Sequence, residues 1–178
     1  MDLKENLMKY MEYSKGDITK KCSLEYEDID ITNLSFSGYD LNNSYFGGVN
    51  FSSCDFTGVY LSGSNFGGSI LKKCILKDNT IKKAAWDDMT FEQTKISSMT
   101  AFRTTFMFGY FKDTVFDKCY FERCSFSNSM FINIYFINSV ISDVDFSKCK
   151  LQKVKFVKCT LQNVKFDDNI DKQCLIFE

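Results

Sequence analysis

The residues of this 178-residue chain that could do chemistry are its eight cysteines and its 23 aspartates and glutamates; histidine is absent. With histidine go the usual metal ligand and the usual general base near neutral pH. A thiolate zinc site needs closely spaced pairs, and no CxxC occurs. There is no Ser/His/Asp set, no lysine-containing phosphate loop and no paired carboxylates in a recognisable cleft. The expectation is a protein that is not an enzyme, with no catalytic residue, no cofactor and no metal site. Lysine plus arginine number 22, for a formal net charge of -1, so direct binding of nucleic acid is not expected either. No apolar run approaches the roughly 20 residues that span a bilayer, and Met1 to Glu5 does not read as a secretory signal. A cytoplasmic protein with no membrane partner is the expectation.

The spacing of the cysteines leads to the elements that hold them. From Ile31 every fifth residue is large and apolar: Ile31, Phe36, Leu41, Phe46, Phe51, Phe56 and onward to Phe156, Leu161 and Phe166. The one weak member is Ala101, and 16 of the 19 phenylalanines fall in this slot. Two residues before each centre lies a second slot, which from Ser44 to Val164 is mostly small, with Met89, Met99 and Ile134 as larger exceptions. Cys54, Cys74, Cys119, Cys124, Cys149, Cys159 and Cys174 all occupy it, which reads as buried small hydrophobes in a reducing compartment. Two inward and three outward positions per five residues describe a closed coil with a filled interior, because neither a helix nor a flat strand buries residues at that period.

Units such as Cys54-Asp55-Phe56-Thr57-Gly58 and Ser64-Asn65-Phe66-Gly67-Gly68 resemble the A(D/N)LXX repeat of pentapeptide repeat proteins, over about residues 31 to 166. The resemblance implies an all-β fold, a right-handed four-sided β-helix with one repeat per side and 20 residues per coil, here about seven coils. Sorting the centres by 20 gives one wholly aromatic column: Phe46, Phe66, Trp86, Phe106, Phe126, Phe146 and Phe166. Cys54 and Cys74, also 20 apart, would stack on adjacent coils, where parallel ladder geometry suits a disulfide poorly.

Open coil ends need covering. Residues 2–15 read as a short N-terminal capping helix, with Asp2 and Glu5 as a capping box and Gly16 as its stop. The expected organisation is a capping helix and lead-in segment over 1–30, the β-helix over 31–169, and a C-terminal cap or dimer segment over 170–178. Cys174 and Ile176 regain the repeat phase after Asp171, and Leu175, Ile176 and Phe177 form an apolar terminus. Family resemblance and apolar character together point to a homodimer through that end.

The outward slots hold an apolar group: Tyr110, Val115, Met130, Ile132, Tyr135, Ile137 and Val157, which the 20-residue sorting puts on two neighbouring sides. Phe102, Met107 and Phe108 lie nearby, with Phe102 a candidate to turn inward beside Ala101. Contiguous exposed apolar surface marks a partner site. Two lysine groups, Lys72 to Lys83 and Lys148 to Lys165, make basic bands. The leading expectation is a rigid protein-interaction rod that also self-associates. The alternative, implied by the resemblance, is a DNA mimic that binds gyrase or topoisomerase, as in quinolone-resistance members; the lysine bands interrupt the negative surface such mimicry requires.

Overall fold

Turning a chain through a right angle every five residues takes one residue per repeat out of the extended region. In the computed structural model, which describes residues 24–167 and 175–177, every fifth residue from Asp28 to Asn163 has a φ between 48° and 80°. This corner lies two residues after each inward centre. Five corners are glycine and eleven are asparagine or aspartate, the types that enter the left-handed region at least cost. Six are lysine, and Phe108 is the only aromatic. A corner residue points away from the axis, so corner geometry itself puts Lys73, Lys83, Lys118, Lys148, Lys153 and Lys158 on the surface.

Between corners run short strands, numbered in chain order from β1 (Glu25–Glu27) to β18 (Leu175–Phe177). They pair only in parallel, and up to β17 each pairs with the segment 20 residues away, as in Ile31 opposite Phe51 and Phe51 opposite Leu71. The first side stacks β2 (Asp30–Thr32), β4 (Asn50–Ser52), β5 (Ile70–Lys72), β8 (Thr90–Glu92) and β11 (Tyr110–Lys112). The second stacks β6 (Ile75–Lys77), β9 (Lys95–Ser97) and β12 (Val115–Asp117). Two longer strands, β14 (Met130–Ile137) and β16 (Lys150–Val157), turn the corner and join these sides into one sheet. At that corner the small slot holds β-branched Ile134 and Val154, which favour extended backbone and pair with each other.

The third side stacks β7 (Thr80–Lys82), β10 (Thr100–Phe102), β13 (Tyr120–Glu122), β15 (Val140–Ser142) and β17 (Thr160–Gln162). The fourth begins with β1 on β3 (Tyr45–Gly47) and continues as single bridges, from Tyr45 opposite Asn65 to Asp145 opposite Lys165. The described residues therefore form an all-β, right-handed, four-sided solenoid of about seven coils. Pairing of β1 with β3 carries the stack back to Tyr26, one repeat before Ile31. The expected capping helix over 2–15 lies outside the described residues.

The interior is a stack of rings. On the fourth side Phe106, Phe126 and Phe146 lie nearly parallel, with centroids 4.8 and 5.1 Å apart. Phe116, Phe136 and Phe156 do the same on the second side at 4.7 and 4.8 Å. These separations match the spacing of neighbouring strands, so coil rise and ring thickness agree. Within a coil the rings meet edge to face, as Phe121 and Phe126 do at 5.5 Å and 71°. Trp86 is buried in this column, and its indole N–H donates to Ser64 Oγ at 3.0 Å.

The small slot also carries a hydrogen-bonding task. At most positions its hydroxyl or thiol donates to the carbonyl of the inward centre 23 residues earlier: Thr94 to Leu71 at 2.8 Å, Ser129 to Phe106 at 3.0 Å, Cys149 to Phe126 at 3.0 Å, Cys159 to Phe136 at 3.2 Å, and likewise Ser69 to Phe46. A buried polar atom there is tolerated because the coil below offers an acceptor at the same place each time. The aspartate or asparagine just before a centre has its own local role. Asp55 Oδ1 accepts the Thr57 amide at 2.9 Å and Asn65 Oδ1 the Gly67 amide at 2.8 Å, closing Asx turns that prepare the corner.

Two expectations are corrected. Phe102 does not turn inward: its ring lies outside, 5.1 Å from the Arg103 guanidinium and 6.0 Å from that of Arg123. Met99, in the slot that is mostly small, is buried in the same repeat as Ala101, so this repeat exchanges the sizes of its two inward residues. At the C-terminus it is Phe177, not Ile176, that regains the inward register. Phe177 lies opposite Phe156 and stacks on it at 5.4 Å, with Leu175 opposite Val154, so the step is 21 residues rather than 20.

Candidate interaction surface

The structure brings the seven predicted surface residues together along one edge of the rod. On the first side Tyr110 pairs with Met130, and Ile132 follows two residues later on the same strand. On the second, Val115 pairs with Tyr135 and Ile137 with Val157. The edge between them is Asn133, whose Nδ2 donates to Asp113 Oδ1 at 2.7 Å. All seven are partly buried, because ladder neighbours about 4.8 Å apart shield one another. The result is a contiguous strip rather than scattered protrusions.

The same columns run further toward the N-terminus than expected. Ile70, 37% exposed, lies in the column of Tyr110 and Met130, and Ile75, 43% exposed, in that of Val115 and Tyr135. A step of 40 residues back from Tyr110 and Val115 finds both. On the third side Tyr60 and Tyr120 share an outward column, and Tyr120 donates to Glu122 Oε2 at 2.9 Å. Phe108, 56% exposed, stands at a corner of the fourth side.

Charge is sorted by side. The fourth side carries Glu25, Glu27, Asp28, Asp87, Asp88, Asp145 and Asp167 against Lys148 and Lys165, an excess of five negative charges. The other three sides, over residues 24–167, balance it with five positive charges in excess. Part of this acid is structural: Asp87 accepts the Met107 amide at 2.8 Å and the Thr105 hydroxyl at 3.0 Å, tying its coil to the next. Asp55, by contrast, lies on the opposite, second side. The ion pairs between described side chains, Lys72–Glu92 at 3.2 Å and Arg123–Glu122 at 3.9 Å, are both solvent-facing and contribute little to stability.

The cysteines are placed for packing. Cys54, Cys74, Cys119 and Cys124 are buried free thiols. The hydrogen bond that Cys74 donates to Cys54, then burial, pushes the Cys74 thiol up, and the same bond holds the Cys54 thiol down. Burial pushes Cys119 up to about 12 and Cys124 and Cys149 to about 11. Thiols held protonated are poor nucleophiles and poor ligands. Among the described residues no three or more Cys, Asp or Glu converge as a metal site, and no helix is long and apolar enough to cross a membrane.

A coil filled by two inward positions per five residues, repeated every 20, defines a class: a repeat solenoid with a packed interior. Eight copies of the model for pentapeptide repeats match residues 30–78 and 129–168, and the chain belongs to that family. The sequence matches no curated relative. Among solved structures it is similar to a trypsin-treated form of QnrB1, a plasmid-mediated fluoroquinolone resistance protein, at 17% identity and a TM-score of 0.51, covering 83% of this chain and 92% of that one. It is also similar to HetL, a pentapeptide repeat protein involved in heterocyst differentiation regulation in Nostoc sp. strain PCC 7120 (10% identity, TM-score 0.42, 92% of each chain). A third is the pentapeptide repeat protein Rfr23 of the cyanobacterium Cyanothece 51142 (10% identity, TM-score 0.36, 96% of this chain and 99% of that one). At these identities the likeness is one of fold.

Proposed function

We propose that this protein is a non-enzymatic interaction module of a reducing, cytoplasmic compartment: a rigid rod that binds a protein partner along the edge formed by β11, β12, β14 and β16. The observation that carries this reading is the strip of Tyr110, Val115, Met130, Ile132, Tyr135, Ile137 and Val157, contiguous across four strands. A preformed rod loses little conformational freedom on binding, so a modest apolar area suffices. Affinity capture from the source cells tests it. The wild-type chain is expected to retain a partner that Tyr135→Ser/Ile137→Ser retains at least tenfold less. An unchanged set of retained proteins would remove the strip from the proposal.

Self-association through Leu175–Phe177 accompanies this reading. Phe177 is 56% exposed although it stacks on Phe156, and β18 is the last described strand of its sheet. Light scattering at micromolar concentration is expected to give the mass of a dimer for the wild type and of a monomer for Phe177→Glu. A monomeric wild type would end the dimer proposal.

One observation favours a second reading, contact with gyrase or topoisomerase by resemblance to DNA. It is the acidic fourth side, on a fold shared with a fluoroquinolone resistance protein. The acids leave the coils of Tyr45, Asn65, Thr105 and Ser125 without a carboxylate on this side, and Lys148 and Lys165 interrupt them near the C-terminal end. The strip reading is preferred for that reason. Inhibition of gyrase supercoiling that is relieved by Asp88→Ser would move the contact to the fourth side.

A further inference from the structure

The strip is apolar along its middle and basic around its margin. Lys95 and Lys112 border it on the N-terminal side, Lys118 at the far corner of the second side, and Lys150, Lys153 and Lys158 on the C-terminal coil. None of these six enters the ion pairs formed between described side chains. The three acids within the margin are already engaged: Asp113 accepts from Asn133 at 2.7 Å, Asp117 accepts from Asn138 at 3.2 Å, and Glu92, opposite Lys112, pairs with Lys72 at 3.2 Å. The acid excess of the rod lies on the fourth side, opposite the second. A ligand approaching the strip therefore meets an apolar centre bordered by cations, with the acid excess of the rod facing away.

We infer that the partner bound by the strip is an acidic amphipathic protein segment, one that seats apolar side chains on Met130, Ile132, Tyr135 and Ile137 and places aspartates or glutamates against the lysine margin. This rests on the strip being a protein contact and adds the chemistry of what occupies it. An anionic membrane would satisfy the lysines equally. It would also require apolar side chains that protrude into the lipid, whereas all seven strip residues are partly sunk among their ladder neighbours. Side chains at that depth pack against a complementary protein surface. Cations at the rim add attraction during approach and select against basic or neutral competitors.

Selection of random dodecapeptides on the full-length chain, with counter-selection on Ile132→Ser/Tyr135→Ser/Ile137→Ser of unchanged circular dichroism, tests the inference. The strip-dependent peptides are expected to carry apolar residues together with a net negative charge. Their binding is expected to weaken at least tenfold between about 50 and 300 mM salt, as screening of rim charges dictates. Lys150→Glu/Lys153→Glu/Lys158→Glu is expected to weaken them at least tenfold as well. Strip-dependent peptides that are neutral or basic would overturn the acidic partner and leave the strip as a protein contact. Recovery of no strip-dependent sequence would overturn both. Sedimentation of the chain with phosphatidylserine vesicles, abolished by the same lysine reversals, would assign the surface to a membrane instead.

Discussion

Phe126→Ala is expected to lower the free energy of unfolding by about 3–5 kcal/mol, the usual cost of emptying a ring-sized space in a core that relaxes only in part. Phe126 is 1% exposed, lies between Phe106 and Phe146 at 4.8 and 5.1 Å, and meets Phe111, Phe121 and Phe131 at 5.5 to 5.8 Å. All five of these neighbours are phenylalanine rings, and none of them can pair with a charge. Phe126→Asp should therefore cost more than the alanine, since it adds an unpaired buried carboxylate to the cavity. Domains of this size are stable by only about 5–15 kcal/mol, so the aspartate variant is expected to lose ordered structure, beginning in the coils next to residue 126. Urea unfolding followed by circular dichroism measures both. An aspartate variant as stable as the wild type would mean that the centres do not converge on a dry axis.

Raising the pH is expected to destabilise the rod through its thiols. A free cysteine ionises near 9, whereas burial holds Cys119 protonated up to about 12 and Cys124 up to about 11. Above pH 9 the unfolded chain releases these protons and the folded chain does not. The unfolded state thus binds fewer protons, and stability falls with rising pH until the folded-state values are reached. Each group contributes about 1.4 kcal/mol per pH unit, so the pair should cost about 3 kcal/mol between pH 9 and about 10.5. Below pH 9 both states hold the proton and no effect is expected. Serine already fills the same slot at Ser69, Ser129 and Ser139, where it donates to the same carbonyl. Cys119→Ser/Cys124→Ser should therefore keep the packing and show a smaller alkaline loss in urea midpoints. An equal loss in wild type and variant would trace the effect to groups other than these thiols.

The inward half of the molecule was legible because each coil repeats the same geometry. A residue such as Phe111 or Ile141 needs no neighbour to identify it, only its place in the count of five, and the aromatic column sorted by 20 is the ring stack of the fourth side. What the count does not carry is compensation within a repeat. Ala101 suggested that Phe102 would fill its space, yet Met99 was already inward and Phe102 keeps its place beneath two arginines. The corners were hidden as well. Lys73, Arg103, Gln93 and Phe108 hold left-handed backbone that their residue types disfavour, because closure of the coil outweighs the local preference.

The surface was legible only in part. Tyr110, Met130 and Tyr135 stood out as apolar residues in outward slots, and the 20-residue sorting placed them on adjoining sides. Ile70 and Ile75 were passed over because polar or charged residues, Thr90 and Lys95, separate them from the strip. The charge sorting is not legible along the chain for a different reason: acids and lysines alternate in sequence and separate only when wrapped, as Asp87 and Asp88 do from Lys77 and Lys95. The terminal strand was displaced by one residue because pairing follows the ring of Phe177 onto Phe156, not the count.

The account assigns stability to the inward residues and recognition to the outward strip, and one paired comparison tests that division. Affinity for the captured partner and thermal midpoint are to be measured for Phe126→Leu and for Tyr135→Ser/Ile137→Ser. The interior variant is predicted to melt lower and, below its transition, to bind as the wild type does; the strip variant is predicted to melt as the wild type does and to bind at least tenfold more weakly. A strip variant that binds normally, or an interior variant that is folded and fails to bind, would contradict it.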